Sequence, residues 1–116
     1  MNILLIEDQE ASRSILANLL THCGHEVATA ETLAGALQLL DNLRFDVLVS
    51  DIELPDGSGL DLVVEARKRQ VWKKTIALTA HGQSGEREMG RRAGYDEYLT
   101  KPFDFYRLRS IIAAAQ

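Results

Sequence analysis

Several scarcities narrow this chain before any motif is read. It has one cysteine, Cys23, in 116 residues, so no internal disulfide can form and a reducing compartment suits it. No apolar run approaches the ~20 residues that a membrane helix needs. Residues 1–20 carry Glu7, Asp8 and Glu10 and no basic leader, which speaks against a signal peptide and against membrane insertion; a cytoplasmic location is expected. Basic excess is missing too. Thirteen Lys+Arg against 17 Asp+Glu leave a formal net charge of −4, which excludes a general nucleic-acid binder with its basic face. There is no glycine-rich first turn of the dinucleotide-binding kind and no P-loop. His22-Cys23-Gly24-His25 has the look of metal-ligand spacing. Zinc wants about four ligands and nothing else supplies them, so the segment reads as a helix end stopped by Gly24.

What is present is alternation. Hydrophobic residues make up 46% and charged residues 26%, the balance of one globular domain spanning residues 1–116. Strand-like runs over residues 2–6, 26–29, 46–50, 75–79 and 97–100 alternate with helix-like patterns over about 11–22, 33–42, 58–69, 84–93 and 104–114. The first run is apolar without a break, as in a strand buried on both faces. Ala11, Ile15, Leu19 and His22 are expected to share one helical face, as are Leu33, Ala36, Leu37 and Leu40, and Leu60, Val63, Val64 and Arg67. Thr32 is a candidate N-cap, and Leu54-Pro55-Asp56-Gly57-Ser58-Gly59 is the densest turn signal. Such a βα alternation implies an α/β, doubly wound, five-stranded parallel sheet with helices on both faces.

Four of the five strand-like runs end in residues suited to phosphate chemistry. The first ends in Glu7-Asp8, the third in Asp51, the fourth in Thr79 and the fifth in Lys101-Pro102. Ligands of doubly wound sheets bind at that strand edge. Singly, each residue has a plain structural explanation: a first-turn acid, a strand-ending Asp, an ordinary strand Thr, a solvated Lys. Together they form a kit. Carboxylates crowded in a cleft repel one another unless a cation neutralises them. Mg2+, which favours oxygen ligands, is the expected cofactor, with Mn2+ as a substitute. Three carboxylates and one ammonium leave the site at −2, which one Mg2+ cancels. Asp51 is then the expected nucleophile, taking a phosphoryl group as an acyl phosphate. Asp8 and Asp51, with Glu7 acting through water, would hold the metal. Lys101 and Thr79 would each contact a phosphoryl oxygen, and the small Ala80 would leave room for the group.

The segments Ile6-Glu7-Asp8, Ser50-Asp51-Ile52-Glu53-Leu54-Pro55-Asp56-Gly57, Leu78-Thr79-Ala80 and Leu99-Thr100-Lys101-Pro102-Phe103 resemble, in order and spacing, the response-regulator receiver domain of two-component signalling. The resemblance covers the whole chain. It implies a flavodoxin-like sheet of strand order 2-1-3-4-5, an arrangement for which the chemotaxis receiver is a standard example. It implies phosphorylation of Asp51 by a histidine kinase or a histidine phosphotransfer protein. It also implies a backbone-carbonyl metal ligand from Glu53, a cis Lys101-Pro102 peptide, and a switch in which Thr79 moves toward the phosphate while Tyr98 turns inward. A downstream protein would read the face of the fourth helix, fifth strand and fifth helix, with no direct contact to nucleic acid. Glu53 and His81 match positions that tune the phosphate's lifetime. The fourth- and fifth-strand motifs are similar to those of receivers in hybrid sensor kinases, and a standalone regulator is the other expectation.

On this reading the chain is a switch rather than a multiple-turnover enzyme, assisting only its own phosphorylation and dephosphorylation. The alternatives are a degenerate receiver acting as a binding module and a Mg2+-dependent aspartyl-phosphate phosphatase. The latter usually carries a second Asp where this chain has Glu53. Trp72 is expected at the opposite edge of the sheet, remote from the acceptor.

Overall fold

The structure is a computed structural model that describes residues 1–80 and 84–116. In chain order the elements are β1 (Asn2–Ile6), α1 (Glu10–His22), β2 (Glu26–Ala30), α2 (Leu33–Asn42), β3 (Val47–Asp51), β4 (Glu53–Leu54), β5 (Gly57–Ser58), α3 (Gly59–Arg69), β6 (Lys74–Thr79), α4 (Ser84–Ala93), β7 (Glu97–Thr100) and α5 (Phe105–Ala114). Five strands pair in parallel in the order β2-β1-β3-β6-β7. Counting sheet strands alone, this is the expected 2-1-3-4-5. The extra pair, β4 and β5, is a small antiparallel hairpin built from the Leu54–Gly57 turn signal.

Why the strands read as unbroken apolar runs is plain from their two faces. Ile3, Leu5, Val47, Val49, Ile76, Leu78 and Leu99 meet Leu16 and Leu20 of α1 and Leu108 and Ile112 of α5. Leu4, Ile6, Leu48 and Ala77 meet Ala36 and Leu40 of α2 and Leu62, Val63 and Ala66 of α3. Alternate residues thus point to opposite helical layers, and each layer needs an apolar partner. β2, the run without a catalytic ending, lies at the sheet's edge.

Two helices are rotated relative to the faces expected from spacing. In α1 the buried residues are Leu16 and Leu20, while Ile15 and Leu19 are 59% and 37% exposed. Arg13 explains the rotation. Its guanidinium donates to the Glu7 carbonyl at 3.0 Å, which turns the row 13, 16, 17, 20 toward the sheet. In α3 the buried row is Gly59, Leu62, Val63 and Ala66, and Val64 faces outward. Here Gly59 decides. A Cβ at this position would lie 2.2 Å from the Asp51 carbonyl oxygen, so only glycine lets the helix start this close to the strand, and the i, i+3, i+4, i+7 row follows from it.

The caps behave as their residue types suggest. Thr32 accepts from the Gly35 N–H at 3.0 Å and Asp104 from the Tyr106 N–H at 2.9 Å, satisfying amides that a helix start leaves open. Gly24 has φ of 92° just past α1, where a left-handed residue ends a helix. At the end of the sheet away from the carboxylates, Trp72 donates to the Ala66 carbonyl at 3.0 Å and stacks on Phe45. No described helix is long and apolar enough to cross a membrane.

Candidate functional site

Parallel pairing brings the C-terminal ends of β1, β3, β6 and β7 to one edge. A cleft of about 260 Å³ opens there, lined by Glu7, Asp8, Asp51, Glu53, Thr79, Ala80 and Lys101 among others. All the site residues read from strand endings therefore share one cavity. Carboxylate oxygens of Glu7, Asp8 and Asp51 lie within 4.8 Å of one another. Glu7 is fully buried, Asp51 and Thr79 nearly so, and Asp8 is exposed at the mouth. The Lys101–Pro102 peptide is cis. His81 lies outside the described residues.

Lys101 bridges the two buried acids. Its ammonium is 2.7 Å from Glu7 Oε1 and 2.9 Å from Asp51 Oδ1. The first contact is a hydrogen bond. The second is an ion pair, and Oδ1 has no hydrogen-bond partner among the described residues. A buried oxygen with a charge beside it but no hydrogen bond from the described residues is costly, and it is the kind of atom a cation completes.

The electrostatics follow from crowding. Burial first and the adjacent Glu7 second push the Asp51 carboxyl up to about 8, with Lys101 only partly opposing them. Burial pushes Glu7 up as well. Hydrogen bonds from Asp51 and Lys101, and the Gln9 N–H at 3.3 Å, outweigh that and hold Glu7 below its ordinary value. The two acids thus share one proton, as expected of carboxylates too close to ionise together. Lys101 loses to burial but gains more from Glu7 and Asp51, so its ammonium is held above its ordinary value. The donor set fits Mg2+: hard oxygens, few in number, with room for water and phosphate.

Backbone and side-chain supports fix this geometry. Ser50 Oγ donates to the Asp51 carbonyl at 2.9 Å. Tyr95, buried beneath the cleft, donates its hydroxyl to the Gly59 carbonyl at 2.7 Å. Arg13 ties down the Glu7-Asp8 turn. Tyr95 and Arg13 lie outside the motifs and Ser50 has no assigned role within one, so only the folded register shows what they touch. Tyr98 is half-buried on β7. Its hydroxyl donates to Glu86 Oε2 at 3.4 Å and interacts with the Thr79 side chain, and the Arg87 guanidinium lies 5.9 Å over its ring. Gly90 admits this ring, since a Cβ there would come within 3.0 Å of it.

Comparison with known proteins agrees with the geometry. The family model described as the response regulator receiver domain matches residues 3–113. The transcriptional regulatory protein TcrA of Mycobacterium tuberculosis is 36% identical over 115 residues, covering 96% of this chain and 46% of TcrA. The chain spans between about a quarter and a half of the length of such relatives. Among solved structures, the response regulator TrrA of Thermotoga maritima in complex with Mg2+-BeF superposes with a TM-score of 0.85 at 34% identity, covering 99% of this chain and 98% of TrrA. A two-component response regulator from Clostridium difficile shares the fold with a TM-score of 0.95 at 22% identity, over 99% and 94% of the two chains.

Proposed function

The chain belongs to the response regulator receiver domain family, and on that footing we propose that it is a switch thrown by phosphorylation of Asp51. The observation that carries the proposal is the half-buried Lys101 held between the buried Glu7 and Asp51, with one Asp51 oxygen lacking a hydrogen-bond donor among the described residues.

The donor is a phosphohistidine on a histidine kinase or phosphotransfer protein. An Asp51 carboxylate oxygen attacks phosphorus, a P–O bond forms, and the P–N bond breaks with its electron pair returning to the imidazole. Before this, the proton that Asp51 shares with Glu7 must leave to solvent through the open cleft. Glu7, Asp8, Asp51 and the Glu53 main-chain carbonyl are the groups that would hold Mg2+, with Mn2+ as a substitute. When bound, the metal supplies positive charge against the oxygens of the transferring group. Lys101, already poised on Asp51, pairs with another phosphoryl oxygen and releases Asp51 to react. Thr79 donates its hydroxyl to a third.

Thr79 also touches Tyr98. A Thr79 drawn toward the phosphate gives up that contact, and the ring is free to turn inward. The surface of α4, β7 and α5 around Tyr98 is therefore the face we assign to a downstream protein. Glu53 lines the cleft and, with His81, is assigned to tuning the attack of water on the acyl phosphate.

Incubating the protein with Mg2+ and acetyl phosphate, followed by intact-mass measurement, tests the reading. The expected result is a labile adduct of one phosphoryl group, absent in Asp51→Asn and in EDTA. No adduct and no beryllofluoride binding would point to a degenerate binding module. Sustained turnover of phosphate esters would point to a phosphatase.

A further inference from the structure

The loop that leaves the acceptor is not free-standing. After Asp51 the chain forms the β4–β5 hairpin, with Glu53 opposite Ser58 at its root and Leu54 opposite Gly57 near its tip. Pro55 and Asp56 make the turn, and proline restricts the backbone there. The root is clamped to the acceptor: the Gly59 N–H donates to the Ile52 carbonyl at 2.6 Å, and Gly59 lies against the Asp51 carbonyl.

The tip is clamped to a different element. Asp56 accepts from the Leu33 N–H through Oδ1 at 2.8 Å and from the Ala34 N–H through Oδ2 at 3.0 Å. These are the first two amides of α2, and Thr32 takes the third, from Gly35. α2 has no acidic residue in its own first turn, where a negative charge would oppose the helix dipole favourably. Asp56 supplies that charge from 22 and 23 residues away. Gly57 makes the approach close: a Cβ there would lie 2.8 Å from Leu33 Cδ2. Those two main-chain donors hold the Asp56 carboxyl below its ordinary value, so it stays ionised throughout the neutral range.

We propose that Asp56 is a positioning residue for the acceptor chemistry: by capping α2 from outside, it anchors the hairpin tip and so fixes the Glu53 main-chain carbonyl at the hairpin root. This rests on the assignment of that carbonyl to the metal shell. A two-residue strand pair has too few bonds to hold its own geometry. With both ends tied, the carbonyl's direction is set by α2 as well as by β3. α2 thereby gains a mechanical connection to the site, although none of its own side chains is among those named in the cleft.

The test is Mg2+ titration by calorimetry at pH 8, with acetyl phosphate labelling and thermal melting alongside. It compares the wild type with Asp56→Ala, Asp56→Asn and Thr32→Ala. The last removes α2's own cap and leaves the hairpin contact in place. Asp56→Ala should raise the Mg2+ dissociation constant roughly tenfold, the scale at which groups behind metal ligands act. It should slow labelling at low Mg2+ and recover at saturating Mg2+. Asp56→Asn, which keeps one acceptor oxygen, should fall between. Thr32→Ala should lower the melting temperature with Mg2+ affinity well short of the roughly tenfold loss, because the Asp56 contacts to Leu33 and Ala34 remain.

Unchanged Mg2+ affinity in Asp56→Ala overturns the proposal, as does an equal loss in Thr32→Ala, which would assign the effect to helix stability. A wild type that binds Mg2+ but takes no phosphoryl group would refute the proposed function instead, and the Mg2+ arm would still decide the role of Asp56.

Discussion

Replacing the acceptor should stabilise the metal-free protein, and by an amount that grows with pH. Asp51 sits at about 8 in the folded chain against an ordinary value of 3.8. Between those values the unfolded chain has released the proton and the folded chain has kept it. A raised carboxyl therefore contributes stability below about 3.8, and that contribution drains away as pH climbs toward about 8. The limiting slope is roughly 1.4 kcal/mol per pH unit. From pH 5 to pH 7 the acid alone would cost the fold up to about 2.7 kcal/mol on that slope. Sharing the proton with Glu7 reduces this to an expected 1–2 kcal/mol, or very roughly 4–8 °C.

Asp51→Asn removes the titration while keeping the shape, and its amide can still donate to Glu7 as the protonated acid does. Glu7 itself is lowered, so its contribution is present above its ordinary value of 4.5 and is lost only as pH falls through its folded value, outside the window. His25 is also lowered, by burial and the neighbouring N-terminus, but it is common to both proteins and cancels in the comparison. Urea melts of both proteins in EDTA from pH 5 to pH 8 give the difference directly. The variant's advantage should widen by about 1–2 kcal/mol between pH 5 and 7. Parallel profiles, or an advantage that shrinks as pH rises, would refute the shared-proton account.

The same proton should make Mg2+ binding pH-dependent, because the metal must displace it: below about 8 the apparent affinity should weaken by up to roughly tenfold per pH unit. Calorimetry in buffers of different ionisation enthalpy should show about one proton released per Mg2+ at pH 7; no release would contradict the assignment. At the far end of the sheet, Asp96 Oδ2 accepts from the Thr75 N–H at 2.8 Å and pairs with Arg67 at 3.2 Å. Asp96→Ala should cost about 1–3 kcal/mol by stranding a buried donor, read as a lower urea midpoint with Mg2+ affinity unchanged. Trp72 fluorescence should stay within a few per cent on adding Mg2+ or beryllofluoride, since its indole is packed on Phe45 and Ala66 away from the cleft; a large change would mean the far end of the sheet moves with the site.

The parts of the site that sequence made legible are those whose position follows from strand polarity alone. Once β1, β3, β6 and β7 are parallel, residues at their C-terminal ends must meet, so Glu7, Asp51, Thr79 and Lys101 could be placed together without knowing any helix orientation. Burial of β1 on both faces was legible as well, from its unbroken apolar run. Helix faces were not. In α1 both the 15/19 row and the 16/20 row are apolar, and periodicity cannot choose between neighbouring rows. The choice was made by one contact, Arg13 on the Glu7 carbonyl, and in α3 by the missing Cβ of Gly59.

The same distinction explains which supporting residues escaped notice. Tyr95 lies outside every quoted motif, and Ser50 and Asp56 lie within one as polar residues of ordinary type to which the motif assigns no role. Each acts on a backbone group: Ser50 on Asp51, Tyr95 on Gly59 and Asp56 on Leu33 and Ala34. A side chain that recognises main chain leaves no complementary residue elsewhere in the sequence to betray it. The chemistry of the acceptor is thus written in side-chain types, while its rigidity is written in main-chain contacts. Variation in rate or metal affinity among chains with the same Glu7, Asp8, Asp51, Thr79 and Lys101 is therefore expected to track the second set rather than the first.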